Sequence, residues 1–143
     1  MTQHLFVYGL LRRGFANPMA RLLQVNGRMI GEGVLEARLF DLGAYPAAVE
    51  AEKGTAGVIG EVYALSRPDY VLRALDRFEG CAAGDPEPHL YVREAREIAL
   101  DAGGSTTAWV YLYNRETRGL TAIPGGDYAR YRLAGRRPRT NRA

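Results

Sequence analysis

Cysteine is nearly absent from this 143-residue chain, where Cys81 stands alone. A single thiol excludes an intrachain disulfide and any multi-thiolate metal centre. It also fits a reducing, cytoplasmic compartment, which is the expected location. Histidine is almost as scarce, with only His4 and His89. Two poorly spaced imidazoles leave little room for a Ser-His-Asp site. His89, in the Pro-rich stretch CAAGDPEPH, reads as solvent-facing rather than as a base. No zinc-ligand spacing, GxxxxGK[ST] or GxGxxG occurs, so neither a metal nor another cofactor is expected. Long apolar runs are missing too. The N-terminal one is too short for a signal peptide and has no basic residues ahead of it, so no membrane partner is expected.

Lysine occurs once, as Lys53, and arginine carries the remaining positive charge. The tail RRPRTNRA holds Arg136, Arg137, Arg139 and Arg142 without an acid. Subtracting those four from the formal net charge of +3 leaves the rest near neutral, at −1. The basicity therefore belongs to residues 136–143, expected to be a disordered tail. A solvated terminus is a simpler reading than an arm for RNA or acidic lipid, although phosphate contacts stay open. Nucleic acid is not the expected partner, and the sequence sets no oligomeric state. No repeat, linker or low-complexity run divides residues 1–135, which read as one domain around one core.

The apolar run from His4 to Tyr8 predicts a strand ended by Gly9. Asn17 and Pro18 predict the start of a short helix through Met19, Leu22 and Leu23. Alternation from Gly33 to Leu42 predicts a strand, and DLGAYPAAVEAEKG a loop or edge segment. GVIGEVYAL reads as another strand, with Gly60 at a bulge or a close backbone approach. Ser66 is the expected N-cap of a helix carrying Val71, Leu72, Leu75 and Phe78 on its apolar face and ending at Gly80. Two alternating strands, 90–100 and 106–113, flank the hairpin signal Asp101-Ala102-Gly103-Gly104. Gly125-Gly126-Asp127 begins a final short segment, helical or irregular. Strands outnumber helices, and the pattern predicts an α+β fold: a mixed, partly barrel-like β-sheet flanked by one or two short helices.

Two places carry chemistry. Glu79, in LDRFEG, sits at the negative end of a helix dipole and follows the core-facing Phe78. Both features raise a carboxyl pKa, which suits a group that takes a proton and later returns it. A surface pair with Arg73 or Arg77 is the alternative. Cys81, after a helix end rather than before one, has no dipole to activate it and reads as inert. The opening FVYGLLRRG offers a turn whose successive N–H groups could bind a carboxylate or an oxyanion, with Arg12 and Arg13 adding positive potential at the rim. Alternatively, Gly9 only ends the strand, and Leu10 and Leu11 enter the core.

These segments, taken in order, resemble the gamma-glutamyl cyclotransferase-like family, of the gamma-glutamylamine cyclotransferase type. FVYGLLRRG resembles its first strand and YG(T/S)LR loop, AYPAAV its tyrosine-proline segment and GEVYAL its central strand. LDRFEG resembles its helix end with the catalytic glutamate. YVRE, AWVYLY and GGDYARY resemble the later elements. The resemblance implies intramolecular aminolysis, in which the substrate's α-amine attacks its own γ-glutamyl carbonyl. The products are 5-oxoproline and an amine or amino acid. It implies Glu79 as general base and then acid, and Tyr8, Gly9, Leu10 and Leu11 as the loop holding the glutamyl group. Tyr91 would line the pocket or orient Glu79. The expected partner is thus a small γ-glutamyl substrate. Leu10 departs from the family's Thr or Ser, which leaves open a non-catalytic module that binds a γ-glutamyl-like ligand.

Overall fold

The expected first strand is present as β1, His4–Val7, and stops just before the Tyr-Gly pair. The computed structural model describes residues 3–135; the expected tail, 136–143, lies outside the described residues. Eleven further segments follow β1. They are α1 (Pro18–Asn26), β2 (Gly27–Leu35), β3 (Ala37–Asp41), β4 (Pro46–Glu50), β5 (Val58–Leu65), α2 (Pro68–Phe78), β6 (Tyr91–Leu100), β7 (Ser105–Tyr113), β8 (Thr121–Ala122), a 3-10 turn at Pro124–Gly126 and α3 (Tyr128–Leu133).

Five strands close into a barrel in the order β1-β5-β2-β6-β7, and β4-β3-β8 form a separate three-stranded sheet. The barrel pairs are antiparallel except where β7 meets β1, with Leu5 beside Trp109. The mixed, barrel-like sheet is therefore as expected, with a third short helix added. The expected strand 33–42 is two strands, separated at Glu36, because β2 belongs to the barrel and β3 to the small sheet. The Pro-containing segment 41–54 does hold an edge strand, β4.

A barrel wall has two faces, and this chain covers both, so there are two cores rather than the expected one. Phe6, Val58, Val62, Ala108 and Val110 belong to a cluster that all five barrel strands share. Their neighbours Leu5, Val7, Tyr63, Leu65 and Tyr111 pack in a second cluster with Leu23 of α1 and with Val71, Leu72 and Leu75 of α2. This is strand alternation read directly: residues two apart share a face. Each of the three α2 side chains contributes about 1.5–3 kcal/mol of hydrophobic stabilisation. At Gly60 a side chain would collide with the Val7 carbonyl and the Phe6 ring, so the expected close approach is real.

The helix ends agree in part with their sequence signals. Asn17 caps α1 by accepting from the Ala20 N–H at 2.8 Å. Ser66 does not cap α2; the capping position falls on Arg67, without a side-chain bond. The Ser66 hydroxyl and N–H instead both donate to the Asn26 carbonyl, tying α2 to the end of α1. Phe78 departs from its expected place. It is 54% exposed, because the apolar stripe of α2 has turned away from the core by the last residue. Gly80 ends the helix in the left-handed region, with φ 77°.

Candidate functional site

The chain leaves β1 at Val7, and the next residues run along the edge of a cavity. Its volume is about 170 Å³, and Tyr8, Gly9, Leu10, Leu11, Glu79 and Tyr91 all line it. These are the six residues singled out from the sequence, brought together from β1's exit, the end of α2 and the start of β6. The reading that set Leu10 and Leu11 simply in the core is half met. Leu11 is buried in the cluster beneath the helices, whereas Leu10 is half-buried.

The turn is anchored by its carbonyls and leaves its donors over. Arg12 N–H donates to the Gly9 carbonyl at 3.0 Å, and Asn17 Nδ2 to the Leu10 carbonyl at 2.9 Å. No acceptor among the described residues is paired with the N–H groups of Gly9, Leu10 or Leu11. Successive donors of this kind can hold a carboxylate or a carbonyl oxygen that gains charge. Gly9 is required for a steric reason. A Cβ there would lie 2.6 Å from Pro46 Cγ and 3.0 Å from Cδ, so the glycine lets β4 close over the turn.

Arg12 overturns the expectation of a positive rim. It is 6% exposed and points inward, with Nε 3.2 Å from Glu61 Oε2 and a terminal nitrogen 2.9 Å from Asp127 Oδ1. Glu61, itself 3% exposed, also accepts from the Arg13 N–H at 2.8 Å and the Tyr63 hydroxyl at 3.1 Å. Asp127 in turn caps α3 through the Arg130 N–H. The turn is thus fixed from beneath by a buried ionic cluster reaching β5 and α3. Sequence reasoning missed Glu61, although a signal existed. An acid amid the apolar residues of GVIGEVYAL must find partners if that strand is buried.

Glu79 is the C-terminal capping residue of α2 and is half-buried at the cavity. No described residue forms an ion pair or hydrogen bond with its carboxylate, so the alternative of a surface pair with Arg73 or Arg77 is not realised. Burial, and then the negative charge of Asp76 one turn earlier, push its pKa up from 4.5 to about 7. Asp76 behaves in the opposite way. Burial alone would raise it, but Arg93, which grips it at 2.7 and 3.0 Å, and the Tyr111 hydroxyl at 2.7 Å together hold it below the usual range. Two acids on one helix are therefore set apart by their partners. One is ionised and structural; the other is poised near neutrality.

The tyrosines are committed elsewhere. Tyr8 donates its hydroxyl proton to the Tyr111 carbonyl at 2.6 Å and accepts from the Ala48 N–H. Tyr91 donates to the Pro46 carbonyl at 2.6 Å, so its one proton is not available to orient Glu79. Burial raises both phenols far above their ordinary values, and they remain neutral. Tyr45, Pro46, Phe78 and Tyr111 also line the cavity and had not been identified as site residues. The first two lie in the AYPAAV segment. Cys81 is pushed up to about 11 by burial and by the charge of Asp76, in agreement with an inert thiol. His89 is half-buried rather than solvent-facing, with Nε2 enclosed and without a described hydrogen-bond partner. Among the described residues no helix is long and apolar enough to cross a membrane.

The chain is similar to known proteins over most of its length. A Methanocaldococcus jannaschii protein, whose name gives gamma-glutamylcyclotransferase provisionally, is 35% identical over 131 residues, 91% of this chain and 98% of its own. The gamma-glutamylcyclotransferase family protein YtfP of Escherichia coli K12 is 32% identical over 125 residues, 87% of this chain and 94% of its own. Among solved structures, a mouse AIG2-like protein is 28% identical with a TM-score of 0.64 over 98% of both chains. Bacillus subtilis YkqA is 25% identical with a TM-score of 0.71, and this chain spans 95% of its own length but only 43% of that protein. Residues 5–130 match the family described as "Gamma-glutamyl cyclotransferase, AIG2-like", which takes in the whole of the cavity, and the chain belongs to that family.

Proposed function

We propose that this protein is a γ-glutamyl cyclotransferase that converts a γ-glutamyl compound into 5-oxoproline and an amine or amino acid, without a cofactor. The observation that carries the reading is that Glu79 and the turn Gly9, Leu10, Leu11, whose N–H groups have no described acceptor, line one cavity. Glu79 takes a proton from the substrate's α-ammonium, and the freed amine attacks the γ-carbonyl carbon. A C–N bond forms and closes the five-membered ring. The amide C–N bond then breaks as Glu79 returns the proton to the departing nitrogen, and the ring nitrogen gives up its second proton to the released amine, which leaves as its ammonium. A carboxyl group near pH 7 can serve in both directions.

Because the nucleophile belongs to the substrate, no activated Ser, Cys or His is needed. The protein supplies a folded, near-attack geometry, and such proximity replaces a bimolecular encounter. The N–H groups of Gly9, Leu10 and Leu11 hold the glutamyl moiety and the carbonyl oxygen. Tyr8 and Tyr91 line the cavity without a hydroxyl proton to offer a substrate, since both hydroxyls donate to backbone carbonyls. Leu10, where the family has Thr or Ser, offers its backbone alone. A missing side-chain hydrogen bond there forgoes about 0.5–1.5 kcal/mol of binding. That is too little to abolish turnover by itself, which favours the enzyme over the silent binder. Incubation with a panel of γ-glutamyl amides, followed by detection of 5-oxoproline, tests the proposal. Product must appear with the native protein and fall at least about 100-fold with Glu79→Gln, the lower end of a general acid–base contribution. Saturable binding without product across the panel would instead establish a binding module.

A further inference from the structure

Glu61 is a buried acid that does not line the cavity and takes no part in the proton transfers. It nevertheless stands at the foot of the turn that does line it. On β5 it sits opposite Val7, the last residue of β1, in the antiparallel register. The chain then leaves the strand, passes the cavity through Gly9, Leu10 and Leu11, and comes back to the same carboxylate. Oε2 accepts from Arg12 Nε at 3.2 Å, and Oε1 from the Arg13 N–H at 2.8 Å. One residue therefore meets the turn where it starts and where it finishes.

Between β1 and α1 the chain belongs to no strand or helix, so other bonds must fix where its N–H groups point. The bond from the Arg12 N–H to the Gly9 carbonyl lies within the turn and sets its shape, not its direction. Direction comes from bonds to other elements. At the far end of the turn these are the two bonds to Glu61 and the one from Arg12 to Asp127 at 2.9 Å. Asp127 takes the other side of the guanidinium, so Arg12 is held between β5 and the start of α3. Donors aimed at a developing charge depend steeply on placement, and an error of about 1 Å can cost about 100-fold in rate.

We propose, resting on the cyclotransferase reading, that Glu61 is a positioning residue for the reaction. By clasping Arg12 and the Arg13 N–H it aims the N–H groups of Gly9, Leu10 and Leu11 at the substrate's carbonyl oxygen, without touching substrate itself. Glu61→Gln tests this with little change of volume. Each carboxylate oxygen faces a donor of the turn, and an amide has one acceptor oxygen, so one side of the clasp must open. Measured per folded molecule, kcat for 5-oxoproline formation should fall at least about tenfold and KM change by a smaller factor, because such donors act chiefly in the transition state. The limb of kcat/KM near pH 7 should stay in place, since Glu79 keeps its surroundings. Arg12→Lys keeps the charge but loses the fork that spans Glu61 and Asp127, and should lose kcat in the same way. Tyr63→Phe is the control. It removes a third bond to Glu61, at 3.1 Å, but neither tie to the turn, and should keep kcat close to the native value whatever its effect on Tm. Native kcat in both Glu61→Gln and Arg12→Lys, a displaced pH limb, or an equal loss of kcat in Tyr63→Phe overturns the inference and leaves the cyclotransferase reading standing. A native protein that forms no 5-oxoproline overturns that reading, and the role of Glu61 with it.

Discussion

Replacing Glu79 by Gln separates two consequences of placing a carboxylate at that position. The first is chemical, since the amide can neither take nor return the substrate's proton. The second is thermodynamic and opposite in sign. Burial and Asp76 raise the folded-state pKa from 4.5 to about 7. Below pH ~4.5 the group is protonated in both the folded and unfolded states, so its titration does not affect stability. Between there and pH ~7 the unfolded chain releases its proton while the folded one retains it, and stability falls as pH rises. Above pH ~7 both states are ionised and the loss is complete. Raising the carboxyl from 4.5 to about 7 disfavours its ionised form by roughly 3 kcal/mol. That figure is an upper bound, because the half-buried carboxylate keeps some contact with solvent at the cavity mouth. Glu79→Gln should therefore be more stable than the native protein at pH 8, by up to roughly 3 kcal/mol or about 10 °C in Tm, and no more stable at pH 4.5 than any local repacking allows. Thermal and urea unfolding of both proteins at half-unit steps from pH 4.5 to 8.5 measures this directly. A stability difference that is flat with pH would show that Glu79 does not carry its burial as an ionisation cost, and the assigned proton affinity would be wrong.

Three further outcomes follow from the same geometry. The rate kcat/KM should rise with pH along a limb set by the free enzyme's Glu79 near pH 7, and Asp76→Asn, which removes the neighbouring negative charge, should move that limb to lower pH. Gly9→Ala should push Pro46 away from the turn, costing about 1–3 kcal/mol in urea unfolding and most of the activity; full activity would mean that the turn tolerates the separation. Arg12→Ala leaves Glu61 buried without its cation, and denaturant unfolding should record a loss of about 3–5 kcal/mol, whereas an exposed Arg13→Ala should change little.

Much of the site was legible because its signals are local. Glu79 shows itself by position: an acid at a helix end, beside a glycine that stops the helix, is electrostatically misplaced unless it has another task. The turn after β1 was visible as a glycine followed by leucines where polar residues are usual. The orientation of Arg12 was not legible, because a guanidinium near a turn points outward unless a buried acid draws it in, and that acid lies 49 residues away on β5. Phe78 misled for a related reason. Helical periodicity gives the spacing of a face but not where the core ends along it. The same holds for Ser66, whose hydroxyl had two possible uses and took the long-range one, at the end of α1.

The sequence by itself indicated β1, β5, β6 and β7, two of the three helices and the family resemblance, and it singled out Glu79. Each of these depends on neighbours within a few residues, where alternation, dipoles and backbone preferences act. Only the tertiary structure decided that β1's exit, the end of α2 and the start of β6 share one cavity. It alone set apart the proton affinities of Asp76 and Glu79, and it turned Arg12 inward beneath the loop. Those outcomes depend on distances through space and on exclusion of water, and barrel closure brings together residues that the chain keeps far apart.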